Sequence, residues 1–387
     1  MPRLSSLASP SRAHFVRSLA SSVLQSGWTI LNTGLSSAHT ICKPTYQTVG
    51  GLHHFGLIGG TESILKYDPW GATFSSQTGI GSANSTDSVT RVTNLSAVSP
   101  SGPIYGAFRR TSSPSPLTYT AVLLSSSDGV SYNSNRGISS NYYASSFADY
   151  IADTSTSGNT IVVVYIDGRV QYATFGGSFS SQYFGPTYTN YGGIFTEYDC
   201  KSVAYDDVSG AVLIAGGAGT TAKIMRILFS SLGSDQAVAW NTVTNTIGQA
   251  ISKLHVASVY LNYTYNSVSG SYTSSGSRSQ IFLAGCVDGR IARSTDAGIT
   301  WSVPASQPFS AGDTVVGFAN WEIGIFAVTN TGKIAYSLNG GVTWGIVSIG
   351  QTISSLEFVA STASYRILIG GANAFLASWS LPPYIQS

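Results

Sequence analysis

Two stretches of this chain, RSTDAGITWSVP (residues 293–304) and YSLNGGVTWGIV (residues 336–347), share one pattern: Ser, any residue, Asp or Asn, any, Gly, any, Thr, Trp. A phrase written twice is either a site used twice or the period of a repeating fold. The surrounding sequence favours a period, because repeats of roughly 20–50 residues mark architectures in which each unit covers its neighbour's apolar face. Seven short apolar runs recur: HFGLIGG from His54, IYGAFRR from Ile104, IVVVYID from Ile161, AVLIAGG from Ala211, IFLAGCV from Ile281, GIFAVTN from Gly324 and RILIGGA from Arg366. Most are succeeded by a turn, a second strand (GRVQYATF, GRIARSTD, GKIAYSLN), another turn, and a third strand opening with an aromatic. Small residues crowd each run, as expected of a first strand close to a central axis.

The aromatic falls at Phe74, Tyr132, Phe179, Trp240, Trp301 and Trp344, six positions for seven runs. Degraded copies of the phrase precede several of them. GSDQAVAW keeps Asp235, SSDGVSY keeps Ser126, Asp128 and Ser131, and WGATF and FGGSF keep a Gly, a hydroxyl and the aromatic. The missing strand has a candidate at the other end of the chain, where SGWTILNTG (residues 26–34) sets Gly, Trp and Thr before an apolar stretch with no unit ahead of it. Pairing it with the last unit would remove two open sheet edges. The expected fold is therefore all-β: a seven-bladed β-propeller over residues 27–387, with residues 27–33 completing the last blade. A pair of β-sandwiches is the structural alternative.

Composition agrees. Of 387 residues only 9% are charged, against about a quarter in ordinary soluble domains, while 42 Gly and 22 Tyr supply turns and pleated packing. A formal charge of +2 without a basic stripe argues against nucleic-acid binding. Cys42, Cys200 and Cys286 are odd in number and far apart, so buried free thiols are expected rather than disulfides or a metal knuckle, and no cofactor is implied. No apolar run reaches the ~18 residues of a membrane span. Arg3, Arg12, Arg17 and Lys43 precede the first acidic residue, Glu62. Phe15, Val16, Leu19, Val23 and Leu24 lie at helical spacing behind Pro10 and a Ser11 cap. Residues 1–26 are thus expected as a short, basic, amphipathic helical arm that docks on a partner or on the main domain. An Arg- and Ser-rich, acid-free start is also how organelle targeting segments read.

The repeated phrase resembles the Asp-box, or BNR repeat, of the sialidase-like β-propeller superfamily. Ser294, Asp296, Gly298, Thr300 and Trp301 match every fixed position, and Ser337, Gly341, Thr343 and Trp344 match around Asn339, which stands in place of the Asp. With the degraded copies, the resemblance covers most of residues 51–380. It implies the propeller fold and says little about function. It also implies structural roles: a carboxylate that accepts backbone N–H bonds in a turn, a Gly at positive φ, a hydroxyl tying turn to strand, and a Trp between sheets. These turns would lie on the outer side, away from an axial cleft.

Sialidase chemistry, as that superfamily has it, needs an arginine triad, a Tyr nucleophile with a Glu partner, and an Asp acid/base. The Arg-Ile-Pro signature is absent, FRRTSSP (108–114) sharing only an Arg. The four glutamates are Glu62, Glu197, Glu322 and Glu357, and Glu197 and Tyr198 are neighbours that a strand would turn to opposite faces. Nucleophile-elbow, phosphate-loop and zinc-protease motifs are missing. A non-enzymatic protein is expected, with a glycoside hydrolase built from carboxylates on distant blades as the alternative.

Low charge with abundant Ser, Thr, Tyr, Asn and Gly resembles the propeller-shaped structural proteins of bacteriophage particles, in particular tail or spike components. This implies a virion protein, assembled in the host cytoplasm, whose partners are other structural subunits of a larger assembly. Tyr gives such subunits large, rigid contacts. The candidate contact residues are Tyr119, Tyr183, Tyr188, Tyr191, Tyr263 and Tyr265, in inserts at 111–120, 180–193 and 260–277, together with Arg12 and Arg17 of the arm. The alternatives are a glycan-binding adhesin or receptor-binding module, and an assembly factor resembling the photosystem-associated Asp-box propellers.

Overall fold

The computed structural model describes residues 28–31, 45–49, 52–58, 64–68, 73–77, 87–97, 104–112, 118–126, 151–158, 160–165, 168, 170–174, 195, 199–232, 241–266, 271–360, 365–373 and 375–380. They are almost wholly strand and turn, with a single 3-10 turn at Phe229–Ser231. No helix among them is long and apolar enough to cross a membrane. The expected arm, residues 1–26, lies outside the described residues.

The strands form antiparallel sheets whose members succeed one another in sequence. Among the described residues there are seven sheets of three or four strands, numbered first to seventh in chain order, over residues 45–77, 87–126, 151–174, 200–242, 251–294, 315–348 and 353–380. One separate hairpin pairs Tyr263–Asn266 with Ser271–Ser274. The exception to sequential order is Trp28–Ile30, which pairs with the last strand of the seventh sheet in the register Trp28↔Trp379, Thr29↔Ser378 and Ile30↔Ala377. The innermost strands of successive sheets pack on one another, from Asp87–Ala97 against Ile151–Ser157 through to Val315–Trp321 against Ile353–Ala360.

The apolar runs prove to be second strands, not first. Ala211–Ala218 is flanked by Cys200–Asp206 on one side and Thr221–Leu228 on the other, and Ser279–Cys286, Gly324–Thr329 and Tyr365–Gly371 are placed alike. The reason is burial on both faces, which calls for an unbroken apolar run and not an alternating one. Val212 and Ile214 pack towards the third sheet while Ala211, Leu213 and Ala215 pack towards the fifth. In the same way Phe282 and Ala284 face the fourth sheet, and Ile281 and Leu283 the sixth. The core is accordingly a series of slabs, each between two consecutive sheets.

The innermost strands carry mixed residues and a recurring irregularity. In five consecutive sheets the register skips the second residue of this strand: Ala152, Lys201, Ser252, Val316 and Ser354. Each bulge interrupts the two-residue alternation and increases local twist. The residue preceding the innermost strand then accepts a backbone bond from the end of the second: Gly217 N to Asp199 O, Val287 N to Ala250 O, Asn330 N to Thr314 O and Ala372 N to Thr352 O, at 2.8–3.1 Å.

Candidate functional site

The two copies of the phrase start at the ends of the third strands of the fifth and sixth sheets, Ile291–Ser294 and Lys333–Ser337, and form the turns beyond them. In the first, Asp296 is the hub: Ser294 Oγ donates to its Oδ1 at 2.7 Å, Thr300 N to Oδ1 at 2.9 Å and Thr300 Oγ1 to Oδ2 at 2.6 Å. Gly298 N donates to Ser294 Oγ at 3.0 Å, and Trp301 Nε1 to the Gly298 carbonyl at 3.0 Å. Burial raises the pKa of Asp296, but the bonds from Thr300, Ser294 and Ile299 outweigh it and hold the carboxyl below its ordinary value.

The second copy repeats this layout with an amide at the centre. Ser337 Oγ and Thr343 N both donate to Asn339 Oδ1 at 2.9 Å, and Gly341 N donates to Ser337 Oγ at 2.9 Å. The bond to the threonine hydroxyl is reversed: Asn339 Nδ2 donates to Thr343 Oγ1 at 2.8 Å, whereas Thr300 donates to Asp296. Trp344 departs as well, since its buried Nε1 finds no acceptor among the described residues. Trp301 packs into the slab between the fourth and fifth sheets and Trp344 into the slab between the fifth and sixth. The hydroxyl, carboxylate and amide side chains of the two phrases are thus engaged within the turns themselves.

The turns also touch the sheet before them. Arg226, on the third strand of the fourth sheet, donates through Nε to the Ala297 carbonyl at 2.8 Å. Tyr172, on the third strand of the third sheet, donates through its hydroxyl to the Leu232 carbonyl of the fourth at 3.3 Å.

A second polar cluster lies near the start of the innermost strands, at the opposite end of the sheets. Ser202 Oγ donates to Asp153 Oδ2, Lys253 Nζ donates to Asp153 Oδ1 at 2.6 Å, and Leu254 N donates to Ser202 Oγ at 2.9 Å. A Ser, a Lys and an Asp together invite comparison with a nucleophile and its base. Ser202 is fully buried, however, and its proton and acceptor capacity are engaged by Asp153 and Leu254. The cluster ties three sheets together. At the same end Asp313 accepts Lys333 Nζ at 2.8 Å and Ser310 N at 2.9 Å, and Asp199 accepts Lys223 Nζ at 2.6 Å. Burial alone would raise the Asp313 pKa. The bonds from Lys333, Thr331 and Ser310 instead drive it far below the carboxylate range.

Charged residues such as Lys201, Asp207 and Arg278 are exposed, and so are several large apolar ones. Ile299 and Val342 occupy the same place in the two turns and are 56% and 42% exposed. Val208, in the turn between the innermost and second strands of the fourth sheet, is 73% exposed at the same end. Tyr263 is half-buried there, its hydroxyl donating to the Leu338 carbonyl at 3.2 Å. Tyr119 and Tyr265 lie in the strands Thr118–Ser126 and Tyr263–Asn266, their side chains outside the described residues. Tyr183, Tyr188, Tyr191, Arg12 and Arg17 also lie outside the described residues. Sequence reasoning missed Arg226, Tyr172 and the Asp153–Ser202–Lys253 cluster. The first two shared a signal, the position two residues before the third strand ends.

No protein-family model matches the chain, and no curated protein matches it. Solved structures do. YCF48 from Cyanidioschyzon merolae is similar at a TM-score of 0.59 and 15% identity, over 92% of this chain and 99% of that one. YCF48 bound to D1 peptide is similar at a TM-score of 0.57 and 12% identity, over 92% and 94%. PorZ of Porphyromonas gingivalis, a surface component of the type-IX secretion system, is similar at 0.55 and 11%, over 92% of this chain and 39% of PorZ. At such identities the likeness is one of fold alone, and that fold is an all-β, propeller-like one.

Proposed function

We propose that this protein is a non-enzymatic interaction propeller of seven blades, closed by residues 27–33 and built on Asp-box turns, which serves as a tail or spike component of a phage virion. It would dock onto neighbouring subunits through the arm at 1–26 and the tyrosine-rich inserts. The observation that carries this reading is the division of labour in the described residues. Polar and charged side chains with reactive potential are engaged in holding turns and sheets, as at Asp296, Ser202 and Asp313, while exposed positions present Ile299, Val342 and Val208. A surface of that kind suits burial against another protein.

Deleting residues 1–26 tests it. The truncated chain should fold and fail to join its particle, and normal incorporation would overturn the docking role of the arm. Turnover of a fluorogenic glycoside that one carboxylate substitution abolishes would overturn the non-enzymatic reading. A second reading, a peptide-capturing assembly factor, is favoured by the likeness to a propeller solved with a bound peptide. Co-purification of one substoichiometric client, absent from finished particles, would select it over the virion role.

A further inference from the structure

Arg293 occupies in the fifth sheet the place that Arg226 occupies in the fourth. Each lies across its sheet from a leucine of the second strand, Arg226 from Leu213 and Arg293 from Leu283. Against each leucine packs a turn glycine of the next sheet, Gly298 on Leu213 and Gly341 on Leu283. The residue before that glycine is left-handed in both turns, Ala297 at φ 57° and Gly340 at φ 68°.

The two arginines nonetheless end differently. Arg226 Nε is satisfied by the Ala297 carbonyl at 2.8 Å. Arg293 Nε is buried without an acceptor, and its side chain makes no hydrogen bond or ion pair among the described residues. Its Nη2 lies beside the turn, 3.6 Å from the point a Cβ on Gly340 would occupy, with Leu261 at 3.0 Å and Ile281 at 3.7 Å from the same point. Burial lowers the arginine's pKa from its ordinary value. A half-buried guanidinium whose Nε lacks an acceptor is costly until a counter-charge arrives. Its planar fork of donors fits a carboxylate through two parallel bonds.

We propose that Arg293 anchors a carboxylate-binding notch between the third strand of the fifth sheet and the 337–344 turn of the sixth, filled by an acidic side chain or a chain-end carboxylate of a protein partner. The proposal rests on the reading of the protein as an interaction propeller and names the chemistry of one contact. Arg226 is its internal counterpart, the same arginine with its acceptor supplied from within.

The test is a titration of the full chain monitored by the Nε–Hε resonance of Arg293, identified by its loss in Arg293→Lys. Three acetylated alanine-rich pentapeptides serve as probes: one with a central Asp and an amidated end, one with a free C-terminal carboxylate, and one uncharged. The resonance should shift saturably with one or both carboxylate peptides, which distinguishes the two sources, and stay in place with the uncharged one. Arg293→Gln should weaken that binding roughly tenfold or more. If this variant fails to fold, Arg293→Lys, which keeps the charge but not the fork, takes its place and should also bind more weakly. No shift with either carboxylate, an equal shift with the uncharged peptide, tighter binding of inorganic phosphate, or unchanged affinity in the variants would each overturn the proposal. A silent titration with normal particle incorporation removes this inference alone. A positive titration without incorporation removes the virion role alone.

Discussion

Arg226 and Ala297 stand 71 residues apart and in different sheets, yet the guanidinium Nε of one donates to the carbonyl of the other at 2.8 Å. Ala297 is a non-glycine residue at φ 57°, a conformation that costs about 1 kcal/mol or more. The arginine binds that strained turn to the preceding sheet, so the local cost is offset by a contact that also fixes the spacing of the two sheets.

Replacing Arg226 with Gln should therefore lower unfolding stability by roughly 1.5–3 kcal/mol, the range for a hydrogen bond involving a charged group. Urea unfolding monitored by tryptophan fluorescence measures this. A loss below about 0.5 kcal/mol would show that the bond contributes nothing net.

The two turns differ at Asp296 and Asn339, and the difference predicts opposite responses to acid. The folded pKa of Asp296 is depressed, so its contribution is present above the unfolded carboxylate value of about 4 and is lost as pH falls through the lower folded value. Asp296→Asn should reduce stability by about 1 kcal/mol at pH 7 and make the acid limb shallower. Asn339→Asp should add a comparable amount at neutral pH that disappears below about pH 4, once the carboxyl is protonated. Stability measured by urea unfolding at pH 3 and pH 7 checks both. An Asn339→Asp chain with the same pH dependence as the original would count against the hub role of this position.

Asp313 and Lys333 make the stronger acid-sensitive tie. The carboxyl is buried and its folded pKa is depressed, so the stabilisation is again present above the unfolded value and is lost only in strong acid. Asp313→Asn should cost roughly 1.5–3 kcal/mol at pH 7, with the gap to the original chain closing as pH drops well below 4. Lys333→Met should cost less, because the lysine side chain is 35% exposed and solvent screens the pair. A double-mutant cycle separates the pair from the bonds that Ser310 and Thr331 give the same carboxylate.

What was legible in the sequence was what is local in space. The eight-residue phrase could be read as a turn because Asp296, Ser294, Gly298 and Thr300 find their partners within four residues. Trp28 could be matched to the last unit because Gly, Trp and Thr stand together before an apolar stretch with no unit ahead of it, while the last unit lacks such a strand. The innermost strands escaped recognition: CKSVAYD and ISKLHVASV start with a bulge, which breaks the alternation that marks a half-buried strand. The apolar runs beside them took the innermost place in the reading because their small residues fit a crowded axis, whereas burial on both faces explains them. Arg226 with Ala297 and Asp153 with Lys253 join sheets far apart in sequence, and nothing in the local pattern reports such partners.

Cys286 offers a probe of opening. Burial, with a smaller effect of Asp288 and against the pull of Arg290, pushes its thiol up to about 12. In the native protein at pH 8 it should react with a thiol reagent far more slowly than a free cysteine, at a rate set by opening of the slab between the fourth and fifth sheets. Mass mapping after a labelling pulse measures this. Immediate modification of Cys286 would show that the slab is not closed in solution.

At Gly216 two backbones almost touch. A Cβ there would stand 1.8 Å from the Asp199 carbonyl oxygen and 2.9 Å from Cys200 Cα. The same place in the seventh sheet, Gly371, would set a Cβ 2.0 Å from the Thr352 carbonyl oxygen. In both cases the obstruction is main chain, and that main chain also accepts the bond that closes the sheet, from Gly217 and from Ala372. It cannot yield as a flexible side chain would, so accommodating a methyl means losing the bond or shifting the innermost strand. Gly216→Ala should destabilise by roughly 3 kcal/mol or more, at or beyond the upper end of ordinary overpacking. Gly210→Ala is the control, since its φ is +66° but nothing lies within 4 Å of the added carbon. It should lose about 1 kcal/mol for the left-handed backbone alone. Equal losses for the two variants in urea unfolding would mean that backbone conformation, and not the closeness of the innermost strand, accounts for the glycine at 216.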